Sequence, residues 1–404
     1  MRMLIFFAVV LGVVGGIHLY LWRRLVVATT RPGTRGRRLG GLAVLALALS
    51  VPVTLALARG GRAWTAWAAV WIALMFYLLV ALLLAEVPVA LALRRSRRPA
   101  PPPDRSTTDA AGTDTPTADT PTTDTAAADL QRRLLLRRGA AIVAGLTAAG
   151  VTGHGIRTAL GPPRLDRVQV PLDRLPRRMD GFRIALVSDI HLGPLSGRAH
   201  TTRIVAALNR LDADAVAIVG DLVDGTVEEL GRAAEPLRDL RSRHGTFFVT
   251  GNHEFYSGAA PWLAELPRLG VRVLANERLA VDGLDLAGVH DVAGAEQDAG
   301  FAPDFGRTFA GRDPARPVVL LAHQPVQAYE AARHGVDLQL SGHTHGGQMV
   351  PFNLAVRLQQ PVVSGLGEVD GTRVYVTDGA GFWGPPVRVG APPEVALVQL
   401  RSTA

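Results

Sequence analysis

Residues 337–348 read DLQLSGHTHGGQ: a short alternating run that stops at Gly342 and passes directly into His343-Thr344-His345 and two further glycines, Gly346 and Gly347, before Gln348. The run has the length and period-two pattern of a β-strand. The two histidines that follow, at alternate positions and hemmed by glycines, have little packing use. Glycine without a Cβ lets a backbone come close to a ligand. This stretch therefore reads as a strand whose carboxyl end carries chemistry.

Working outward, four more runs have the same form. RIALVS (183–188) leads into Ser188-Asp189-Ile190-His191-Leu192-Gly193, and AVAIVG (215–220) into Gly220-Asp221-Leu222-Val223-Asp224-Gly225. TFFVT (246–250) precedes Gly251-Asn252-His253-Glu254, and VVLLAH (318–323) ends on Ala322-His323-Gln324-Pro325. RVYVTD (373–378) and VALVQL (395–400) are further strand-like runs, and helical patterns fall at about 199–211, 228–242, 260–269 and 325–334. Strands alternating with helices predict an α/β domain with parallel pairs and crossovers. The later, closely spaced strands predict a mixed or antiparallel part. In open α/β sheets, loops leaving the strand ends converge on one edge, where ligands gather.

Taken singly, each motif is commonplace. Asp-x-His is usually a turn or surface pair, Asp221 a helix cap or Asx-turn, and Asn-His a loop dipeptide. Five in one order, each after a strand, are not commonplace. Asp189 and His191, two apart on an extended segment, point the same way and can grip one cation. The carboxylate of Asp221 has two oxygens with which to bridge two cations. The amide oxygen of Asn252 is a neutral, hard ligand. With His323, His343 and His345 the set holds two Asp, one Asn and four His, a mixture that suits a pair of borderline divalent cations. His253 is left over for proton work.

The order D-x-H, G-D-x-x-D, G-N-H-E, H, G-H-x-H resembles the calcineurin-like metallophosphoesterase superfamily over about residues 182–400. The longer ending Gly-His-Thr-His-Gly-Gly-Gln and the later Trp383-Gly384-Pro385-Pro386 are similar to its membrane-associated bacterial branch. The resemblance implies a four-layer α/β/β/α sandwich, two mixed sheets flanked by helices. It also implies two divalent metal ions, for which Mn, Fe or Zn fit. Asp189, His191 and His345 would hold one and Asn252, His323 and His343 the other, with Asp221 bridging and His253 facing the phosphoryl oxygens. The family reaction is in-line attack on phosphorus by a hydroxide bridging cations about 3.5–4 Å apart. Asp224 either orients a ligand or caps a turn. Gly288-Val289-His290-Asp291 either lines the substrate cleft or forms a structural turn. Phe382-Trp383 either walls the site or packs in the core.

The first part of the chain is different. Apolar spans cover about residues 3–22, 39–58 and 63–93, the last with charge only at Glu86, and each is long enough to cross a bilayer. Residues 1–98 are therefore expected to form a membrane region with three transmembrane helices. Residues 99–131, low-complexity and rich in Asp, Thr and Pro, are expected to be a disordered linker. Residues 132–160 are expected to hold a fourth, marginal transmembrane helix around 139–153. The alternatives for that segment are a relic of a twin-arginine export signal or an amphipathic helix on the inner face. The catalytic domain is assigned to 161–404.

The net charge of +8 separates along the same line. Residues 1–160 hold 19 Arg against 7 acidic residues, and 161–404 hold 24 Arg against 28. The basic excess lies in the membrane half, where arginine clusters set topology. The mildly acidic remainder argues against a nucleic-acid footprint. The arginines of 23–38 and 94–98 predict cytoplasmic loops, an outer N-terminus and an extracytoplasmic catalytic domain in a multi-pass membrane protein. With no cysteine, disulfides and thiolate metal sites are excluded. The expected partners are the membrane and a phosphoester substrate, lipid- or envelope-associated species among the candidates. The competing readings are a tethered nucleotide phosphodiesterase or nuclease, and a non-catalytic sensor or scaffold on the same fold.

Overall fold

A computed structural model describes residues 2–58, 69–95 and 123–403. The arginines at 59 and 62, the start of the expected third span and the linker up to residue 122 lie outside the described residues. Two compact units result: Met1–Ala56 with Trp71–Val151, and Leu57–Val70 with Thr152–Ala404.

In the first unit the apolar runs form α1 (Arg2–Leu21), α2 (Arg35–Ala58) and α3 (Val70–Arg95), and α4 (Thr123–Ala159) begins there. All four are long and apolar enough to cross a membrane. Glu86, the lone acid of α3, is matched by Arg24 at 2.5 Å and by the Tyr20 hydroxyl at 2.6 Å. Its charge is thus answered locally. Arg138 donates from Nε to the Thr29 carbonyl at 2.8 Å, tying the start of α4 to the loop after α1. Helix α4 also includes residues 123–131, where the linker was expected to be irregular. Those nine residues, TDTAAADLQ, contain no Pro or Gly, and their alanines and leucine favour a helix. The end of α4 belongs to the second unit. Gly155 lies so close to the 387–389 loop that a Cβ there would meet Val387 Cγ1 at 2.5 Å, and its carbonyl accepts from Arg388 N at 2.9 Å.

The second unit holds two six-stranded mixed sheets. One has β1 (Arg164–Leu172), β2 (Arg183–Val187), β3 (Ala215–Val219), β4 (Thr246–Val249), β5 (Val271–Val273) and β12 (Glu394–Ser402), in the order β1-β12-β2-β3-β4-β5. The other has β6 (Glu277–Val281), β7 (Leu284–Gly288), β8 (Val318–Leu321), β9 (Leu338–Ser341), β10 (Gly365–Val369) and β11 (Thr372–Val376), in the order β10-β11-β9-β8-β7-β6. Strands β2 to β5 run parallel, as do β7, β8, β9 and β11. Period-two alternation sorts the side chains. Ile184, Leu186, Ala217, Val219 and Val249 meet Leu286, Val319, Leu321 and Leu340 in a core between the sheets. Ala185, Val187, Val216, Ile218 and Phe248 face the helices Arg198–Asn209 and Ala259–Glu265. Val318 and Leu320 face Phe305, Phe309 and Ala331 on the far side. The result is the expected four layers, α/β/β/α.

Seven strands fall where the sequence patterns put them. β1, β5, β6 and β10 are not among them, and of β7 the sequence shows only the motif Gly288-Val289-His290-Asp291 at its end.

Candidate metal centre

The five motifs leave the carboxyl ends of β2, β3, β4, β8 and β9, neighbours within each sheet, and hydrogen bonds draw the two edges together. Asp189 N donates to Gly220 O at 3.0 Å within the first sheet, and Gly342 N to His323 O at 3.0 Å within the second. Two links cross between sheets: His323 Nδ1 to Val219 O at 2.8 Å, and His343 N to Asp189 Oδ2 at 3.0 Å. Glycine makes the closure possible. A Cβ on Gly342 would collide with Ser188 Oγ, and one on Gly251 with Asp221 Oδ1.

The side chains converge on two adjoining places. Asp189, His191 and His345 present ligand atoms within 4.8 Å of one another, as do Asp221, His323 and His343. His191 Nε2 faces His345 Nε2 at 3.1 Å, and His323 Nε2 faces Asp221 Oδ2 at 3.1 Å. Asp221 Oδ2 also lies 3.8 Å from His191 Nε2, so this carboxylate touches both groups. Asn252 Oδ1 is buried without a hydrogen-bond partner. Buried polar atoms are normally satisfied; lone pairs left bare among Asp and His side chains fit a divalent cation. Five of the seven expected ligands sit at positive φ: Asp189 +51°, His191 +46°, Asp221 +51°, His343 +71° and His345 +52°. Non-glycine residues hold that conformation only when their surroundings over-determine it, and such strain clusters at functional sites.

The supporting residues fix ring orientation. Asp224 Oδ1 accepts from His191 Nδ1 at 2.9 Å, which leaves the His191 Nε2 lone pair facing the site. The same oxygen is 2.7 Å from His253 Nδ1. The turn-cap alternative for Asp224 does not hold, because Thr226 and Glu229 cap the following helix. His253 is half-buried. Burial works against its charge, but the carboxylates of Asp221 and Asp224 outweigh that and hold its pKa up to about 9. Burial, with the His323 charge nearby, pushes His343 down to about 3, so its ring is a neutral donor.

Two residues that the sequence reading left without a role complete the scaffold. Glu254 is fully buried and accepts from the backbone N–H groups of Asp221 at 3.0 Å, Leu222 at 2.7 Å and Gly251 at 2.6 Å. Its burial, then the Asp221 charge, raises its pKa to about 7. Arg388, also fully buried, donates to the carbonyls of Gly381 and Asp378 at 2.5 and 2.7 Å and to His345 Nδ1 at 2.9 Å, bracing that ring. His290 and Asp291 do not line a cleft. They are buried, His290 against Thr250 at 3.0 Å and Asp291 against Gln324 at 3.1 Å. Phe382 is buried. Trp383 stands in the open, 57% exposed, with its ring 6.5 Å from that of His253.

Comparison with known proteins matches the calcineurin-like phosphoesterase family over residues 182–347. An uncharacterized metallophosphoesterase of Helicobacter pylori strain J99 is 41% identical over 258 residues, covering 63% of this chain and 68% of that protein. A Bos taurus protein named "Transmembrane protein with metallophosphoesterase domain" is 41% identical over 263 residues, 61% of this chain and 59% of its own. An uncharacterized metallophosphoesterase of Aquifex aeolicus is 33% identical, covering 59% of this chain and 92% of that protein. The likeness thus extends to animals and is not confined to a bacterial branch. Sequence order, sandwich fold and relatives agree that the chain belongs to the calcineurin-like phosphoesterase family of metal-dependent phosphoric ester hydrolases.

Proposed function

We propose that the chain is a membrane-anchored phosphoesterase whose site holds two divalent cations. Asp189, His191 and His345 would hold one, Asn252, His323 and His343 the other, and Asp221 both. The observation that carries this reading is the meeting of the two ligand groups at Asp221, beside the unpartnered Asn252 Oδ1. The ligands suit Mn, Fe or Zn. When bound, the cations would supply an activated water and offset charge on the phosphoryl oxygens.

The protein groups act around that centre. Asp224 aligns His191 and His253 from one oxygen. His253, kept cationic by its carboxylate neighbours, faces the phosphoryl group and delivers a proton to the departing alcohol oxygen. Tyr256 and Trp383, their rings 5.4 and 6.5 Å from that of His253, border the approach. The anchor is supported by four helices long and apolar enough to span a membrane and by the name of the Bos taurus relative.

Full-length protein in detergent should hydrolyse a soluble aryl phosphoester once Mn is supplied, and chelation should abolish the activity. Activity that survives exhaustive chelation would remove the metal hypothesis.

A further inference from the structure

The border of the site is apolar and exposed on one side. Gln348 closes the Gly-His-Thr-His-Gly-Gly-Gln run and grips Trp383 twice: its Nε2 donates to Trp383 O at 2.8 Å, and its Oε1 accepts from Trp383 N at 2.9 Å. From there residues 349–359 run along the surface as MVPFNLAVRLQ. Val350 is 37% exposed, Phe352 50%, Leu354 61% and Leu358 90%. Single exposed leucines are ordinary. Four large apolar side chains within nine residues, on the segment that begins where Gln348 holds an exposed tryptophan, are of the kind that marks a binding surface. Arg357 stands exposed among them and has no ion-pair partner among the described residues.

The location of the patch identifies what covers it. Val350 N donates to Val389 O at 3.0 Å, and Met349 bridges Val389. Val387 and Val389 are the side chains against which Gly155 rests. Gly155 lies near the end of the apolar span Leu130–Ala159. The patch and the last residues of that span, from Thr152 on, are therefore neighbours within one compact unit, so the patch stands beside the point where the chain would leave a bilayer. The composition suits a bilayer surface: Trp favours the headgroup level, branched apolar side chains enter the acyl boundary, and an exposed Arg pairs with anionic lipid.

We propose that Val350, Phe352, Leu354, Leu358 and Trp383 seat in the lipid interface, so that the site takes its phosphoester from lipid headgroups of that leaflet. This rests on the phosphoesterase reading above. In the reaction, the oxygen of water bonds to phosphorus, the bond from phosphorus to the lipid alcohol oxygen breaks, and that oxygen takes up a proton.

The chain has no cysteine, so an introduced one carries a fluorophore alone. Leu354→Cys and Leu358→Cys, labelled with an environment-sensitive dye, would be studied in full-length protein in vesicles of phosphatidylethanolamine with a minority of phosphatidylglycerol. Arg268→Cys is the control, 75% exposed at the opposite edge of the first sheet. Nitroxide-bearing lipid should quench the probes at 354 and 358 by roughly half or more and leave the control unchanged. Quenching of all three by a water-soluble agent alone would overturn the proposal. So would shielding of 354 and 358 from both quenchers, which would mean that a second copy or another protein covers the patch. Hydrolysis of a soluble ester, with neither the phosphatidylethanolamine nor the phosphatidylglycerol of the vesicles cleaved, would overturn the headgroup substrate. Failure to cleave any ester with metal present would count against the phosphoesterase reading and leave the quenching result standing.

Discussion

On the proposed reading, Asp221 and His253 do two kinds of work in one site. The carboxylate of Asp221 reaches His323 at 3.1 Å and His191 at 3.8 Å, so it is placed to touch whatever either group holds. His253 is held from behind by Asp224 and is not needed to complete either set of ligands in the family pattern. Its ring nevertheless comes within 4.8 Å of ligand atoms of His191 and Asp221, so geometry leaves open a place for it on a cation. Asp221→Asn should lose both metal and activity. His253→Gln should keep its metal and lose about 10²–10⁴ in rate, the usual worth of acid–base help. Elemental analysis of the two purified variants decides the matter, and equal metal loss in both would make His253 a ligand. The candidate ligands were legible because each lies in a short motif just past a strand. Glu254 was in plain view inside Gly-Asn-His-Glu, but its task is to receive three backbone N–H groups, and residue type does not reveal that. Arg388 lies in Val-Arg-Val-Gly, where a lone arginine reads as surface; only the fold encloses it with five carbonyl oxygens and a histidine.

At the level of the loops, glycine serves two different ends, and substitution can tell them apart. Gly251 has φ −101°, open to any residue, but a Cβ there would fall onto Asp221. Gly258 has φ +93° with nothing within 4 Å of a Cβ. Gly251→Ala should therefore disturb the Asp221 carboxylate and weaken metal binding about tenfold or more, a shift of about 1.4 kcal/mol. Gly258→Ala should bind metal normally and lose about 1 kcal/mol of stability through backbone strain. Metal titration beside denaturant unfolding checks both, and a Gly251→Ala protein with unchanged affinity would refute the close-approach account. The elements that escaped the sequence reading share a physical cause. β1 places Arg164, Leu165 and Asp166 at the margin of its sheet, so its buried side chains, Val170 and Leu172, are few among charged ones. β5 is three residues long, and β10 contains two glycines in five. Such edge strands draw their stability from pairing, as β1 does along the whole length of β12, and not from an apolar pattern of their own.

Over the whole chain, the partition of charge makes a statement about sidedness. Arginines crowd the helical turn that continues α1 (Arg23, Arg24), the start of α2 (Arg35, Arg37, Arg38), the end of α3 and the first half of α4, and arginine-rich segments stay in the cytoplasm. Contacts within the first unit support a common side for these segments: Arg24 pairs with Glu86 near the end of α3, and Arg138 reaches the Thr29 carbonyl in the loop after α1. On this reading α1 enters from outside, α2 and α3 return the chain to the cytoplasm, and α4 carries it out again. The catalytic residues would then share the outer side with the N-terminus. The deciding step is α4, whose middle, GAAIVAGLTAAG, is rich in Ala and Gly and contributes less to insertion than the Leu- and Val-rich helices before it. Protease added to intact spheroplasts should digest the domain beyond Leu160 and spare the Asp-Thr-Pro segment before α4, since the two would lie on opposite sides. Epitopes placed in each segment would report the fragments. If both stay protected, α4 does not cross, the site faces the cytoplasm, and the headgroups within its reach are those of the inner leaflet.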